Sequence, residues 1–268
     1  MKTLINRLLL LFFLAVAPLA QATEFDHNYS DWNKLLQNHV KWMADNKQSL
    51  VDYAGFQKDR DQLKQVLATW SAVSPQTFQT FNKKQQMAFL INAYNGFTIE
   101  LILTEYPKIK SIKDIGGFFG NPWKKEFFTL LGAKRHLDWI EHEQLRPKYK
   151  EPRIHVAVNC ASIGCPALRD EAFTATQLEK QLQDSMRRFL TDESRNRVSK
   201  GELQISPIFK WFAEDFEQGH LGYKEVKDVF AKWAKEVGNS PEIVDKLASK
   251  SLPIAYTDYD WSLNDIKN

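Results

Sequence analysis

The chain has 268 residues, 43% of them hydrophobic, 26% charged and 13% aromatic, with a formal charge of +3, two cysteines and six histidines. A mean hydropathy of −0.44 with only 11 Gly and 10 Pro excludes a multi-span membrane protein and a disordered or fibrous chain. Eight Trp, eight Tyr and 18 Phe supply bulk for a sizeable core.

Met1 to Arg7 is a short basic segment, Leu8 to Ala17 is apolar, and Ala20-Gln21-Ala22 is a small-x-small cleavage site. This is the pattern of a secretory signal peptide, 1–22, so an exported chain is expected, periplasmic or secreted. The apolar run is well short of the roughly 20 residues that span a bilayer, so no membrane span is expected after cleavage. Without Lys2 and Arg7 the basic count falls from 36 to 34 against 33 acidic residues, a net charge of +1. A chain that nearly neutral, with no basic stripe, gives no case for nucleic acid as partner. Residues 23–268 fit a single globular domain.

Trp32, Leu35, Leu36, His39, Val40 and Met43 recur at helical spacing and predict a helix over 30–44. A second helix is predicted over 57–70 and a long third over 83–106, stopped by Pro107. Residues 127–137, with Gly132-Ala133 inside, read as a β-hairpin. Asp138-Trp139-Ile140-Glu141 reads as a capped helix start. The β-branched run 153–159 reads as a buried strand, followed by a helix over 176–190. A second hairpin is expected around Lys200-Gly201, then helices over 208–216, 223–237 and 241–249, and an aromatic-acidic segment from Tyr256 to Trp261 that docks onto the core. Helices outnumber strands and do not alternate with them. The expected fold is therefore α+β, a predominantly helical domain around a small, mostly antiparallel sheet.

Four spots carry polar chemistry in apolar surroundings. The first is Asn92-Ala93-Tyr94-Asn95, whose two amides share one face of a helix that is otherwise apolar. Buried amides must be satisfied, either by a neighbouring backbone or by lining a polar cleft with Tyr94. The second is Asn159-Cys160-Ala161-Ser162-Ile163-Gly164-Cys165-Pro166, which holds both cysteines. In an exported chain these pair as a disulfide or leave Cys160 as a thiolate nucleophile. Cys-x4-Cys is not a usual zinc spacing, so neither a metal nor a cofactor is expected. The third spot supplies a base: His142 next to Glu141, or His155. Glu141 is also the normal partner of an Asp cap. The fourth is the C-terminal segment, where Asp258 or Asp260 could orient a histidine.

These stretches, with Val51-Asp52-Tyr53, Leu145-Arg146, Phe209-Lys210-Trp211, Glu214-Asp215-Phe216 and Tyr259-Asp260-Trp261-Ser262-Leu263-Asn264, resemble the domain of unknown function family 547 over about residues 51–264. The resemblance implies that the four spots belong together; it implies no particular reaction, substrate or cofactor. Three functions are open on the residues, of which thiol–disulfide exchange by both cysteines lacks the Cys-x-x-Cys spacing and thioredoxin-like βαβ pattern expected for it. Of the remaining two, one is a cysteine-dependent hydrolase or acyl/amide transferase, with Cys160 as nucleophile, His142 as base, Asp260 or Glu141 steadying the imidazole, and Asn92, Asn95, Asn159, His155, Ser162 and Tyr94 around the substrate. The other is a non-catalytic envelope module, its loop clamped by a Cys160–Cys165 disulfide, that binds a small molecule or an envelope protein.

Overall fold

The computed structural model describes residues 24–117 and 120–267, so the expected leader lies outside the described residues. Trp32, Leu35, Leu36 and His39 form the buried face of helix α1 (Ser30–His39). The chain leaves the helix at β-branched Val40 and forms strand β1 (Val40–Trp42), paired antiparallel with β2 (Ser49–Val51). Helices α2 (Tyr53–Lys58), α3 (Arg60–Ser71) and α4 (Pro75–Thr80) follow. The side chains of Asp52 and Ser74 cap α2 and α4 by accepting from Gly55 N and Thr77 N.

Helix α5 (Lys83–Leu103) is the centre of the fold. Asn82 and Gln85 start it with a reciprocal capping box, and from Met87 to Leu103 every residue except Glu100 is buried. It ends at Leu103, before Pro107 would break the ladder. Strands β3 (Phe128–Leu130) and β4 (Ala133–Arg135) form the predicted hairpin. Its two turn residues, Leu131 and Gly132, have φ of 49° and 79°, the left-handed conformation such turns need.

A widened, π-helical turn, Trp139–Leu145, runs into α6 (Arg146–Tyr149). The expected Asp cap is absent: Asp138 makes no side-chain cap bond, and Trp139 N donates instead to the His136 main chain and ring. Freed from the cap, Glu141 is buried. The buried strand expected over 153–159 is also not formed. Pro152–Val156 is a 3-10 turn, closed by Ala157 N and Val158 N donating to Ile154 O at 2.9 and 3.0 Å. The alternation of Ile154, Val156 and Val158 is real, but no strand lies alongside to accept their backbone. The Asn95 amide takes that place, accepting from Asn159 N at 2.8 Å and donating to Ala157 O at 3.0 Å.

Helix α7 (Leu178–Leu190) has a strongly one-sided apolar face and leads to the hairpin of β5 (Arg197–Ser199) and β6 (Glu202–Ile205). Short helices α8 (Ile208–Trp211), α9 (Ala213–Glu217), α10 (Val226–Lys232), α11 (Ala234–Val237) and α12 (Pro241–Ala248) complete the helical part. Strand β7 (Ile254–Tyr256) then adds to β6 in parallel. The fold is a helical α+β structure in which, among the described residues, the strands sit in three small sheets, antiparallel except for that last pair. Among the described residues no helix is long and apolar enough to cross a membrane.

The buried apolar side chains form two clusters. One is built on α1, α3 and α5 and reaches Leu182; the other is built on the end of α7 and on α8 to α12. They meet in the 3-10 turn: Ile154, Ala157 and Val158 pack into the first cluster and Val156 into the second. Helix α3 comes close enough to α5 for the first cluster only because residue 96 is glycine. A Cβ there would lie 2.7 Å from Trp70 Cζ3 and 3.1 Å from Leu67 Cδ2. Alanine at 96 improves helix propensity by up to about 1 kcal/mol, but overpacking this crossing costs about 1–3 kcal/mol. We therefore expect Gly96→Ala to lower the urea midpoint with an unchanged slope; an equal or higher midpoint would show that the crossing has slack.

Candidate functional site

The two amides of α5 are spent on backbone. Asn92 Nδ2 donates to Phe173 O at 2.7 Å while its Oδ1 accepts from Phe173 N at 3.0 Å. Asn95 treats Ala157 and Asn159 the same way. Asn159 extends the chain of amides, accepting from Ala161 N at 2.9 Å and donating to Pro166 O at 2.8 Å. All three are at least 95% buried. Their geometry is that of groups that shape the loop, the first of the two uses open in the sequence.

The loop they shape carries a disulfide between Cys160 and Cys165, so both cysteines of the chain are bonded to each other. Ala161, between Cys160 and Ser162, has φ of 62° and is fully buried. A left-handed alanine is costly and persists only where its surroundings hold it. Here its N–H is held by Asn159 Oδ1 and its carbonyl accepts from Asn264 N at 3.2 Å.

The C-terminal segment docks on this loop. Ile163 N donates to Ser262 O and Gly164 N to Asp260 O, both at 2.8 Å. Gly164 has no side chain because the Tyr259 ring lies where a Cβ would be, with ring carbons at 2.9 Å. Tyr259 Oη consequently reaches both sulfurs, 3.1 Å from Cys160 Sγ and 3.3 Å from Cys165 Sγ, and accepts from Ser162 Oγ at 3.0 Å. Burial pushes the Tyr259 phenol up to about 12. Asp260, expected to steady an imidazole, is exposed and accepts from Ser262 N at 2.8 Å.

Histidine is held by a different carboxylate. His155 Nε2 lies 2.6 Å from Asp215 Oδ2, and Arg146 Nε donates to the same oxygen at 2.6 Å. Burial alone would raise the Asp215 carboxyl, but the bonds from His155 and Arg146 outweigh it and hold it at about 2. An ionised Asp215 fixes the proton of His155 on Nε2. Nδ1 is then the lone-pair nitrogen of a neutral ring, and burial does lower the His155 pKa, against the pull of Asp215. Nδ1 is buried without a hydrogen-bond partner, 3.7 Å from Glu141 Oε1.

Glu141 is held up to about 7 by burial, with Asp138 and Asp215 adding to the rise and Tyr94 and Arg146 opposing it. A protonated Glu141 facing a neutral His155 and an ionised Glu141 facing a protonated His155 differ by the position of one proton. A carboxyl held up to about 7 and a lone-pair imidazole nitrogen thus face each other inside the protein.

His142 lies on the outer side of this pair, with 38% of its side chain exposed. Arg146 Nη1 donates to His142 Nδ1 at 3.1 Å, and Nε2 faces Asp138 Oδ1 at 3.8 Å. Burial lowers its pKa, against Asp138. Its partners are Arg146 and Asp138; those of Cys160 Sγ, beyond the bridge, are Ser162 and Tyr259.

The two halves share one wall. Phe212 stacks on the His155 ring at 3.9 Å and 18°, and the adjacent Trp211 packs on Tyr259 at 4.9 Å. Tyr259 packs in turn on Trp261 at 4.5 Å. Trp211 is 47% exposed and marks the solvent edge of the site. Reasoning from the residues alone missed Asp215 and Tyr259 as working groups. Asp215 stands among residues that read as an ordinary amphipathic helix, and Tyr259 in a segment whose acids drew the attention. Among the described residues no group of three or more His, Cys, Asp and Glu side chains is placed to hold a metal ion.

The raised Glu141 pKa makes stability depend on pH with a defined sign. For an acid whose pKa rises from 4.5 unfolded to about 7 folded, the stabilising contribution is full below the unfolded value and is lost as pH rises through the folded one. Glutamine at 141 removes that dependence. The stability difference between wild type and Glu141→Gln should therefore move toward the variant by about 3 kcal/mol from about pH 4 to about pH 8, read by urea unfolding. A difference independent of pH would mean that Glu141 is not buried as described.

No curated protein and no solved structure matches the chain. Residues 78–190 match the model of a family described as "Protein of unknown function, DUF547". That span holds α5 with its two amides, Glu141, His155 and the whole Cys160–Cys165 loop, and over it the chain resembles the DUF547 family.

Proposed function

We propose that the chain is an exported hydrolase or transferase of acyl or amide groups that works by general acid–base catalysis, with Glu141 and His155 as the proton-transferring pair. The observation that carries this reading is the buried Glu141 carboxyl, held at about 7 and 3.7 Å from the unpartnered Nδ1 of His155. A group poised near the working pH gives and takes a proton with least loss, which is what general acid–base catalysis needs. Asp215 and Arg146 are positioning residues: they fix the tautomer and plane of His155, as the carboxylate does in a catalytic triad. Tyr94 tunes Glu141 from the other side. Export rests on the basic, apolar and small-x-small order of residues 1–22.

A nucleophilic Cys160 with His142 as its base would need the disulfide to open first, whereas the Glu141–His155 pair needs no thiol. The second reading, a non-catalytic envelope module, draws support from the loop itself: a bridge, three backbone-clamping amides and an exposed Trp211 suit a rigid binding edge.

One comparison separates the three. Purified wild type, Glu141→Gln and a Cys160→Ser, Cys165→Ser double variant are assayed against soluble acyl esters and amides. We expect turnover by wild type and by the double variant, and a loss of about 10²–10⁴-fold in kcat for Glu141→Gln. Activity that appears only after reduction and disappears in the double variant would replace this reading with the thiol nucleophile. Absence of turnover in all three, with a ligand bound equally by wild type and Glu141→Gln, would leave the binding module.

A further inference from the structure

The Cys160–Cys165 bridge is not what gives its loop a shape. Ile163 O accepts from Gln48 Nε2 at 3.0 Å and from Arg195 Nη2; Gly164 O accepts from Arg195 Nε at 3.3 Å. The N–H groups of residues 161, 163 and 164 and the carbonyl of Ala161 are each bonded to partners that do not depend on the sulfurs. With these ties intact, an opened bridge leaves the backbone path determined.

The bridge is also asymmetric. Cys165 is 3% exposed, whereas Cys160 is half-buried, so Cys160 is the more accessible of the two. The backbone donor is on the protected sulfur; the Tyr259 and Ser162 hydroxyls lie within reach of Cys160 Sγ as well, at 3.1 and 3.2 Å. Cys160 N donates to Cys165 Sγ at 2.9 Å, and Tyr259 Oη stands 3.3 Å away with its own lone pair occupied by the Ser162 hydroxyl. A phenol that accepts one hydrogen bond donates the next more strongly. The buried Arg195 guanidinium binds the carbonyls of residues 163 and 164 in the same loop and is ion-paired with Asp192. Hydrogen bonds favour a thiolate over a thiol, and a stabilised thiolate is a good leaving group.

We propose that Cys160–Cys165 is a reversible redox centre that takes two electrons from an external dithiol, Cys160 being the sulfur attacked and Cys165 the leaving group. The donor thiolate attacks Cys160 Sγ, forming a mixed disulfide; the Cys160–Cys165 bond breaks and its electron pair goes to Cys165 Sγ. The donor's second thiol loses its proton to solvent and attacks the donor sulfur of the mixed disulfide. Cys160 leaves as a thiolate, and both cysteines take up protons from solvent. The donor ends as a disulfide and the chain as a dithiol. This activity stands on the sulfurs and Tyr259 and does not use Glu141 or His155 as a reacting group.

The test uses the full mature chain equilibrated in mixtures of reduced and oxidised dithiothreitol, with thiols trapped by alkylation and counted by mass spectrometry. We expect the bridge to open in the folded protein, with the melting temperature falling by no more than about 8 °C. We further expect Tyr259→Phe to shift the equilibrium toward the bridged form by about tenfold. With glutathione disulfide, Cys165→Ser should form a mixed disulfide at Cys160 at least about tenfold faster than Cys160→Ser does at Cys165. A bridge that opens only in denaturant, or equal rates at the two cysteines, would overturn the proposal. Turnover of ester or amide substrates plays no part in these readouts, so the two readings fail separately.

Discussion

The interaction on which the rest depends is the pair of bidentate amide contacts that α5 makes with two loops. A helix buried on nearly every side from Met87 to Leu103 has no solvent to satisfy a polar side chain. Each amide must therefore find one donor and one acceptor inside the protein or cost about 1–3 kcal/mol. Asn92 finds both on Phe173, and Asn95 finds them on Ala157 and Asn159. Because these partners are backbone, the amides dictate the path of chain far away in sequence. The 3-10 turn that carries His155 and the loop that carries both cysteines begin at Asn95.

The site inherits its polarity from the same arrangement. His155 stands in a turn whose neighbours belong to two different apolar clusters, with Phe212 against its face and Phe216 nearby at 5.9 Å. A seam between apolar clusters desolvates anything placed in it, and desolvation works in opposite directions on a carboxyl and an imidazole. Glu141 is pushed up and His155 down, which favours the uncharged form of each. Asp215 escapes the same push because Arg146 and His155 both bond to it. The one step in the chain Arg146–Asp215–His155–Glu141 without a hydrogen bond is the 3.7 Å gap between the last two.

Much of this was legible in the residues, and the exceptions have physical causes. The long helix, both hairpins, the amides and the cysteine pair announce themselves because period, turn chemistry and rarity are local signals. The strand expected over 153–159 failed because a β-branched run records only that the segment is buried, and a turn packed against α5 buries residues 152–159 as well. Glu141 read as a cap partner since Asp138 stands three residues before it; the widened turn over Trp139–Leu145 swung it inward, and nothing local encodes a π-helical turn. Asp215 was invisible as a histidine partner because the pairing spans 60 residues. Tyr259 was seen as bulk to be buried. Its hydroxyl matters only through Gly164, which leaves room for the ring.

That last pair shows how one small residue couples the two halves of the site. A side chain at 164 would push the Tyr259 ring off the loop, and the ring is what carries a hydroxyl to the sulfurs and a face to Trp211. Trp211 is covalently next to Phe212, which lies on His155. A change at the bridge that moves Tyr259 therefore bears on the plate against which His155 is packed, through two aromatic contacts and one peptide bond. The reverse path is open too: Glu141 is close enough to Tyr259 for its charge to bear on the phenol, and ionising Glu141 disfavours the phenolate. A neutral phenol keeps its O–H as a donor to the sulfurs.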